Sequence, residues 1–374
     1  MNKNLKEVAL VFFKLGCFAF GGPAAHIAMM EDEVVNKRKW MSLDYFLDLI
    51  GTTNFIPGPN STEMTMHCGY ERAGKFGLFV AGIAFIIPAT IITAILAYLY
   101  ATYGALPEVA PFIFGIKPAV LAIIASAVLK LGRKAIKTRA LTILGLLVLV
   151  ASLLGVNEVL ALLSAGVLGT LYLYIQDSIK GNLNGLIPLL LTSGLGFTAS
   201  KITALNVFWV FLKVGAILYG SGYVLFAYLD AELVTRGWLT RAVLIDAIAV
   251  GQFTPGPVLS TSTFIGYQLS GFAGALAATI GIFLPSFLFV LLLNPYITKM
   301  RQSKILRYFL DAVNVAAVAV MLAVLLVMAK VTLVDWKAIV IVIGSALLVF
   351  RTKLSVIWVI ILGSILGYVF IEYL

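Results

Sequence analysis

Two proline-glycine-proline motifs interrupt long apolar runs of this chain, one in each half. Pro57-Gly58-Pro59 follows Asn54-Phe55-Ile56, and Pro255-Gly256-Pro257 follows Gln252-Phe253-Thr254, 198 positions later. Proline lacks a backbone N–H and favours the first turn of a helix, so each motif can end one helix and begin another. A helix that begins inside an apolar run exposes unpaired N–H groups and a positive dipole end, which together suit an anion.

Polar side chains follow both motifs and add further hydrogen-bond donors. Asn60, Ser61 and Thr62 come directly after Pro59, and a run from Ser260 to Thr263 comes after Pro257. A proline kink held by neighbouring helices is the alternative interpretation of a single motif. Because the break occurs at matched positions in both halves, we favour an anion site at the middle of the membrane.

A second matched pair of blocks carries a lysine and a glycine-rich break. Lys14 precedes Phe20-Gly21-Gly22-Pro23, and Lys213 precedes Tyr219-Gly220-Ser221-Gly222, 199 positions later. A lysine inside an apolar run is costly, so it has a functional role or extends its ammonium group to the membrane surface. We predict that Lys14 and Lys213 balance the charge of a bound dianion, with surface extension as the equal alternative.

Other polar residues near the breaks are weaker candidates. Asn54 and Gln252 fit hydrogen-bond donors to a substrate, or gate residues. Lys117 ranks below the two matched lysines because its counterpart in the second half is Asn314.

Carboxylates near the breaks are candidates for coupling or gating. Asp48 and Asp246 occupy matched positions before the proline motifs, where they can take up protons, hold the matched lysines or form purely structural ion pairs. Glu63 is a third candidate, but the second half has a hydroxyl at that position. For Glu63, as for the unmatched His26 and His67, a structural role is the favoured interpretation.

The composition excludes a soluble globular protein. Of the 374 residues, 61% are hydrophobic and only 12% are charged, and the mean hydropathy is +1.04, whereas soluble domains average about 25% charged residues. Much of the net charge of +10 lies in short loops, mainly Lys130 to Arg139 and Lys299 to Arg307, as the positive-inside rule requires of cytoplasmic loops near anionic lipids. The sequence therefore predicts a polytopic helical membrane protein that binds no nucleic acid.

Apolar segments divide the chain into two repeats and a connector. Six segments between residues 7 and 175 have six counterparts between 204 and 373, whereas Gly185 to Ser200 has none. We predict an all-α polytopic membrane protein with an N-terminal transport repeat (1–182), a linker helix (183–203) and a C-terminal transport repeat (204–374). An even number of crossings followed by one unpaired crossing gives the second repeat inverted topology.

One basic loop conflicts with a scheme in which every segment crosses. With the amino terminus inside, Asn36 to Lys39 would lie outside, next to the acidic Glu31 to Glu33. Either the acidic residues override the charge bias, or the first two segments of each repeat are broken hairpins that re-enter the membrane without crossing it. The sequence leaves the helix count open by two per repeat.

No pattern of catalytic or metal-binding residues accompanies the breaks. Cys17 and Cys68 lack CxxC spacing, and the sequence contains no HExxH, GxSxG or Walker motif. We predict a transporter without cofactor or metal rather than an enzyme. An anion channel that uses the same helix ends is the first alternative. An integral-membrane enzyme acting on lipid phosphate is the second.

With these blocks the sequence resembles the chromate ion transporter family in its long, two-repeat form. The resemblance rests on Phe20-Gly21-Gly22-Pro23, on Asn54-Phe55 with Pro57-Gly58-Pro59, and on their second-half equivalents, and it covers nearly the whole chain. The family's lysine and glycine-proline motifs map onto Lys14 and these blocks. Gly220-Ser221-Gly222 lacks the proline, which departs from strict symmetry of two half-sites.

The resemblance implies a multi-pass secondary transporter of the inner membrane that exports chromate, with sulfate as an alternative or exchanged substrate, and so confers resistance. Moving a dianion out of a cell that is negative inside releases about 4.6 kcal/mol at roughly 100 mV, so export can run without a second ion. Membrane lipids are the other expected partners. A homodimer is left open, because the sequence does not set the oligomeric state.

Overall fold

The computed structural model describes residues 3–20, 22–53, 56–178, 202–219, 222–296, 303–352 and 354–373. This part of the chain is helical and contains no strand. The helices of the first repeat are α1 (Lys3–Phe18), α2 (Pro23–Met30), α3 (Leu43–Thr53), α4 (Asn60–Tyr103), α5 (Ala110–Ala135), α6 (Arg139–Leu153) and α7 (Glu158–Ser178). Those of the second are α8 (Ala204–Ile217), α9 (Leu225–Leu229), α10 (Arg241–Phe253), α11 (Thr261–Leu293), α12 (Lys304–Thr332), α13 (Trp336–Arg351) and α14 (Val356–Tyr373).

The first two helices form a hairpin that re-enters the membrane. After α2 the chain continues as a π-helical stretch, Glu31–Lys37, and runs back along α1. Lys14 Nζ lies 3.5 Å from Glu33 Oε1, and Arg38 Nη1 lies 3.1 Å from Glu7 Oε1. Residues late in the hairpin pair with residues early in it, so its two arms are antiparallel. The chain therefore returns to the face at which it began.

A second hairpin follows and ends at the same face. Tyr45 of α3 donates to Glu71 of α4 over 2.9 Å, and Arg72 pairs with Glu7 over 2.7 Å. At Gly74, with φ 62°, helix α4 then reverses direction. The first half of α4, residues 60–72, is about 20 Å long, which is too short to span the hydrocarbon core.

The second half of α4, residues 75–103, is the first segment long enough to cross the membrane. Gly69 and Gly77 lie against each other across the bend, where a Cβ on either would meet the backbone of the other. Small residues allow two helical backbones this close approach. The structure therefore selects the re-entrant alternative, and the loop of residues 36–39 lies on the face of the amino terminus, as its positive charge requires.

The second repeat is built in the same way but inverted. Helix α11 reverses at Gly271, with φ 59°, and the second halves of α4 and α11 pack antiparallel. Phe79 stacks on Phe287 near one end, with ring centroids 5.6 Å apart, and Gln268 donates to the Ala97 carbonyl near the other. The hairpins of the second repeat therefore open at the opposite face of the membrane.

The remaining helices pack mainly with one another and against α10 of the second repeat. Within the part of the chain that the structure describes, six helices are long and apolar enough to span a membrane. They include α5, α7, α12 and α14, whereas α6 is shorter. Gly115 of α5 meets Gly363 and Gly367 of α14 in backbone contact. Helix α12 of the second repeat packs against α6 and α7 of the first, so the two repeats are interleaved.

The predicted linker helix, Gly185 to Ser200, lies outside the described residues. The division into residues 1–182, 183–203 and 204–374 stays a prediction.

The re-entrant hairpins predict which loops face the same side. In a protein whose native cysteines are replaced by alanine, single cysteines at Lys39, Lys75 and Lys134 should react with an impermeant thiol reagent from one side. Cysteines at Glu108 and Thr235 should react from the other. All five side chains are exposed. Labelling of the Lys39 position from the side of Glu108 would contradict the hairpins.

Candidate functional site

The breaks of the two repeats are hydrogen-bonded to each other. The backbone N–H of Gly58, in the proline motif of the first repeat, donates to the Leu218 carbonyl over 2.6 Å. The backbone N–H of Gly256, at the matched position, donates to the Ala19 carbonyl over 2.9 Å. Each proline motif is thus held against the glycine-rich break of the other repeat. These contacts bring the turns of all four hairpins, where the breaks lie, to one place.

Helices begin at the breaks as the sequence predicts. Helix α2 begins at Pro23, preceded by Gly22 with φ 80°. Helix α4 begins at Asn60 after Pro59, and no side chain caps its first N–H groups. In the second repeat a 3₁₀ turn, Val258–Ser260, follows Pro257 and leads into α11. Helix N-termini with unpaired N–H groups therefore lie at the junction of the repeats.

Several polar side chains at this junction are buried without a hydrogen-bond partner. The hydroxyls of Thr62, Ser262 and Ser286 make no hydrogen bond within the described part of the chain, and all three residues are 0% exposed. Both carboxylate oxygens of Glu63 are also buried and make no hydrogen bond within the described part of the chain. A buried polar group without a partner costs about 1–3 kcal/mol. Such groups gathered at one place are typical of a site that accepts a polar ligand.

His26 stabilises the first break through contacts on both of its ring nitrogens. Its Nε2 lies 3.1 Å from the Ala19 carbonyl, and its Nδ1 lies 3.3 Å from Ser61 Oγ. Because a carbonyl can only accept, Nε2 carries the hydrogen and Nδ1 can accept from the serine. His26 thus ties the glycine-rich break to the first turn of α4, and the Ala19 carbonyl also receives the bond from Gly256. This is the structural role that the sequence favoured.

Thr93 makes a similar contact for the second break. It lies in the second half of α4, and its hydroxyl is 3.3 Å from Ser260 Oγ and 3.5 Å from Thr254 Oγ1. All three residues are buried.

The matched lysines are each paired with a matched glutamate. Lys14 pairs with Glu33, and Lys213 forms a short ion pair with Glu232. The side chains of Lys14 and Lys213 are 65% and 48% exposed. Arg236 also pairs with Glu232, over 2.6 Å. In this conformation the positive charges are therefore balanced by protein carboxylates, and those carboxylates are glutamates rather than the aspartates considered from the sequence.

Lys14 lines a small cavity between α1 and the returning arm of the first hairpin. The cavity has a volume of about 190 Å³, and Asp32, Glu33 and Lys37 contribute to its wall. Its two lysines and two carboxylates balance in charge.

Asp246 forms the centre of a cluster that joins the repeats. Its carboxylate accepts from Tyr100 over 2.7 Å and lies 3.4 Å from Lys117 Nζ, and both partners belong to the first repeat. The cluster borders a largely apolar cavity of about 320 Å³ between α4, α5, α10 and α14. Lys117, ranked low from the sequence, is thus the lysine that Asp246 holds. Asp48, by contrast, is exposed on α3.

The other predicted site residues differ in their positions. Gly21, Asn54 and Gly220 lie outside the described residues. Phe20 is 38% exposed. The buried and half-buried candidates at or beside the breaks are Gly22, Pro57, Pro59, Asn60, Tyr219, Gln252, Pro255 and Pro257.

Two polar residues at the junction were missed from the sequence, namely Thr93 and Ser286. Ser286 follows Pro285 within an apolar run, and the matched residue after Pro88 is Ala89. Ser286 therefore has no matched hydroxyl in the first repeat, and a search for matched pairs does not find it. A lone hydroxyl after an internal proline is the signal that could have found it.

Comparison with known proteins places this architecture in a family. The sequence model described as "chromate transporter" matches residues 6–170 and 205–368, one match in each repeat. The chain belongs to the chromate transporter family. It is accordingly a multi-pass membrane protein of a transporter family and not an enzyme.

Curated relatives agree with this assignment. The chain is 32% identical over 339 residues to a probable chromate transport protein of Synechococcus elongatus, covering 89% of this chain and 86% of the relative. It is 32% identical over 340 residues to a chromate transport protein of Cupriavidus metallidurans, covering 89% and 84%. An uncharacterised transporter of Methanocaldococcus jannaschii is 30% identical over 387 residues, covering 98% and 94%. No solved structure matches the chain.

Proposed function

We propose that this protein is a secondary transporter of chromate and related tetrahedral oxyanions, and that the anion binds where the four breaks meet. The observation that carries the proposal is the pair of inter-repeat hydrogen bonds, Gly58 to Leu218 and Gly256 to Ala19. They bring two helix N-termini and several buried, unpaired hydroxyls to one junction. Inverted repeats with broken helices at their interface are the usual construction of a transporter's substrate site.

The chemistry of the junction suits an anion with several oxygens. Thr62, Ser262 and Ser286 are hydrogen-bond donors for which the described residues supply no acceptor, and the helix N-termini add N–H groups and positive potential. A tetrahedral dianion can accept from several of these donors at once. Relatives named as chromate transport proteins make chromate the first substrate to test. Sulfate has the same charge and shape and is the second.

The interleaved repeats support alternating access as the mechanism. Each proline motif is bonded to the other repeat, so a rocking motion of one repeat against the other would act directly on the junction where we propose that the anion binds. A dianion leaving a cell at about 100 mV, negative inside, releases roughly 4.6 kcal/mol. We therefore propose export driven by the membrane potential.

Flux in vesicles tests this function. Purified protein in liposomes should move labelled chromate toward the positive side when a potassium gradient with valinomycin sets the potential, and unlabelled sulfate on the far side should accelerate the exchange if sulfate shares the site. Empty liposomes and a protein with Gly58→Val are the controls. No chromate movement above the controls at either sign of potential would contradict the proposal. A unitary conductance without exchange would favour an anion channel.

A double variant in the same assay distinguishes two possible roles of the matched lysine Lys213. If Lys213 contacts the anion, both Lys213→Met and Lys213→Met with Glu232→Gln should reduce the flux at least about tenfold. If the lysine only holds the hairpin closed against Glu232, the single variant should be impaired, because it leaves the buried glutamate without this cation. The double variant should then recover, because it removes the charge of the glutamate as well. Equal flux in all three proteins would exclude both roles.

A further inference from the structure

Glu63 is an acidic residue placed where an anionic substrate would be expected. It lies in the first turn of α4, directly behind the proline motif, and is 0% exposed. A Cβ built at Gly58 would collide with Glu63 Oε1 and with Ser286 Oγ. The carboxyl group therefore points back at Gly58, the residue whose N–H bonds the second repeat.

No cation in the described part of the chain pairs with this carboxyl group. Among the described residues, none of the ion pairs includes Glu63, and neither of its oxygens makes a hydrogen bond. The Ser286 hydroxyl, which lies beside it against Gly58, carries no charge. Burying an ionised carboxylate without a partner is costly, and a second negative charge beside it raises that cost.

The second repeat has no such group. The residue that matches Glu63 is Thr261, whose hydroxyl bonds the Val258 carbonyl over 2.8 Å. Ser260 and Ser262 flank it. The two helix N-termini at the junction are therefore chemically different. One carries only hydroxyls and suits a dianion, whereas the other carries a carboxyl group that repels a dianion when ionised.

We infer that Glu63 is a proton-binding site linked to the anion site, and that an oxyanion binds at the junction only while Glu63 holds a proton. The inference rests on the function proposed above and adds a coupled ion to it. The physical reason is that a neutral carboxylic acid can donate a hydrogen bond to an anion oxygen, whereas the carboxylate repels it. Proton and anion thus strengthen each other's binding by the same factor.

Other titratable groups surround Glu63 and must be separated from it. Helix α2 presents His26, which reaches the first turn of α4 through Ser61. The glycine-rich break of the second repeat presents Tyr219. On α4 itself His67 follows one turn later and lies 3.0 Å from Asn294 Oδ1. The two histidines are the groups that could imitate a proton effect of Glu63.

Proton uptake by the unmodified protein is the direct test. Chromate or sulfate is added to detergent-solubilised protein in weak buffer, in the alkaline range where chromate is a dianion, and pH is followed with a dye. At pH values high enough to ionise Glu63 in the anion-free protein, we expect close to one proton taken up per anion bound, and an apparent affinity that falls roughly tenfold for each pH unit. Anion binding without proton uptake and without this pH dependence would overturn the inference while leaving the proposed transport function standing.

Variants assign the proton to a residue. Glu63→Gln keeps the size of the side chain and replaces the carboxyl group with a neutral amide that can donate an N–H at any pH, so we expect anion binding that no longer depends on pH and no longer takes up a proton. His26→Gln and His67→Gln should keep the roughly tenfold slope per pH unit. If Glu63→Gln keeps the slope and a histidine variant loses it, the assignment to Glu63 is wrong. If the wild-type protein binds neither anion at any pH, it is the proposed function that fails.

Discussion

Replacing Gly58 with alanine is expected to abolish anion transport. Gly58 has a φ of 144°, which L-residues rarely adopt, and a Cβ there would collide with Glu63 and Ser286. Strain at such a φ costs about 1–3 kcal/mol, and overpacking a tight site adds roughly 1–3 kcal/mol more. The two costs fall on the backbone that bonds Leu218 across the repeats. We therefore expect at least about a 100-fold loss of flux, since each 1.4 kcal/mol is about tenfold.

Gly155 provides the matched control for this prediction. It also has a positive φ, 87°, but a Cβ there meets nothing within 4 Å. Gly155→Ala carries the backbone strain without the collision and lies in the turn between α6 and α7, away from the breaks. We expect it to transport at close to the wild-type rate in the same vesicles. Equal loss in both variants would mean that general instability, and not the shape of the junction, explains the result.

Breaking the inter-repeat ion pair is expected to have the largest effect on stability. The Asp246 side chain is 5% exposed and that of Lys117 is 26% exposed. Lys117→Met leaves the carboxylate with Tyr100 alone. Removing one partner of a buried ion pair costs about 3–5 kcal/mol. Thermal unfolding in detergent should therefore show a clear loss for Lys117→Met and for Asp246→Asn.

The double variant Lys117→Met with Asp246→Asn should recover much of that loss, because no unpaired charge is left. An exposed pair supplies the comparison, since Lys137 bonds Asp311 over 2.6 Å and its side chain is 57% exposed. Surface pairs contribute about 0–1 kcal/mol, so Lys137→Met should unfold close to the wild type. A double variant no better than either single variant would show that the cluster is not a coupled pair.

The same cluster bears on how the two faces of the protein differ. Lys117 matches Asn314 in the other repeat, and the buried Asp246 matches the exposed Asp48. The lysine–aspartate pair therefore has no symmetric copy. Inverted repeats with unequal contacts at their two ends favour one access state over the other when no substrate is bound.

The sequence by itself determined the class of the protein and the positions of its breaks. Proline and glycine act locally, because proline lacks an N–H and glycine tolerates positive φ. Helix starts at Pro23 and after Pro59 could therefore be predicted from the motifs alone. The constant spacing between matched blocks revealed two repeats, and the unpaired segment between them indicated that one is inverted. These signals need no knowledge of distant contacts.

The tertiary structure decided which groups meet. A re-entrant hairpin and a pair of crossing helices need similar apolar sequences, so hydropathy could not distinguish them. The contact of Tyr45 in α3 with Glu71 in α4 distinguished them, because it places the start of one helix beside the end of the first half of the next at a single face. Likewise, Lys14 and Lys213 were evident in the sequence, but their glutamate partners follow from hairpin geometry. Glu63 ranked low because it has no matched copy. Only packing shows that it is buried and that no described residue pairs with it as a cation, since burial depends on residues distant in the chain.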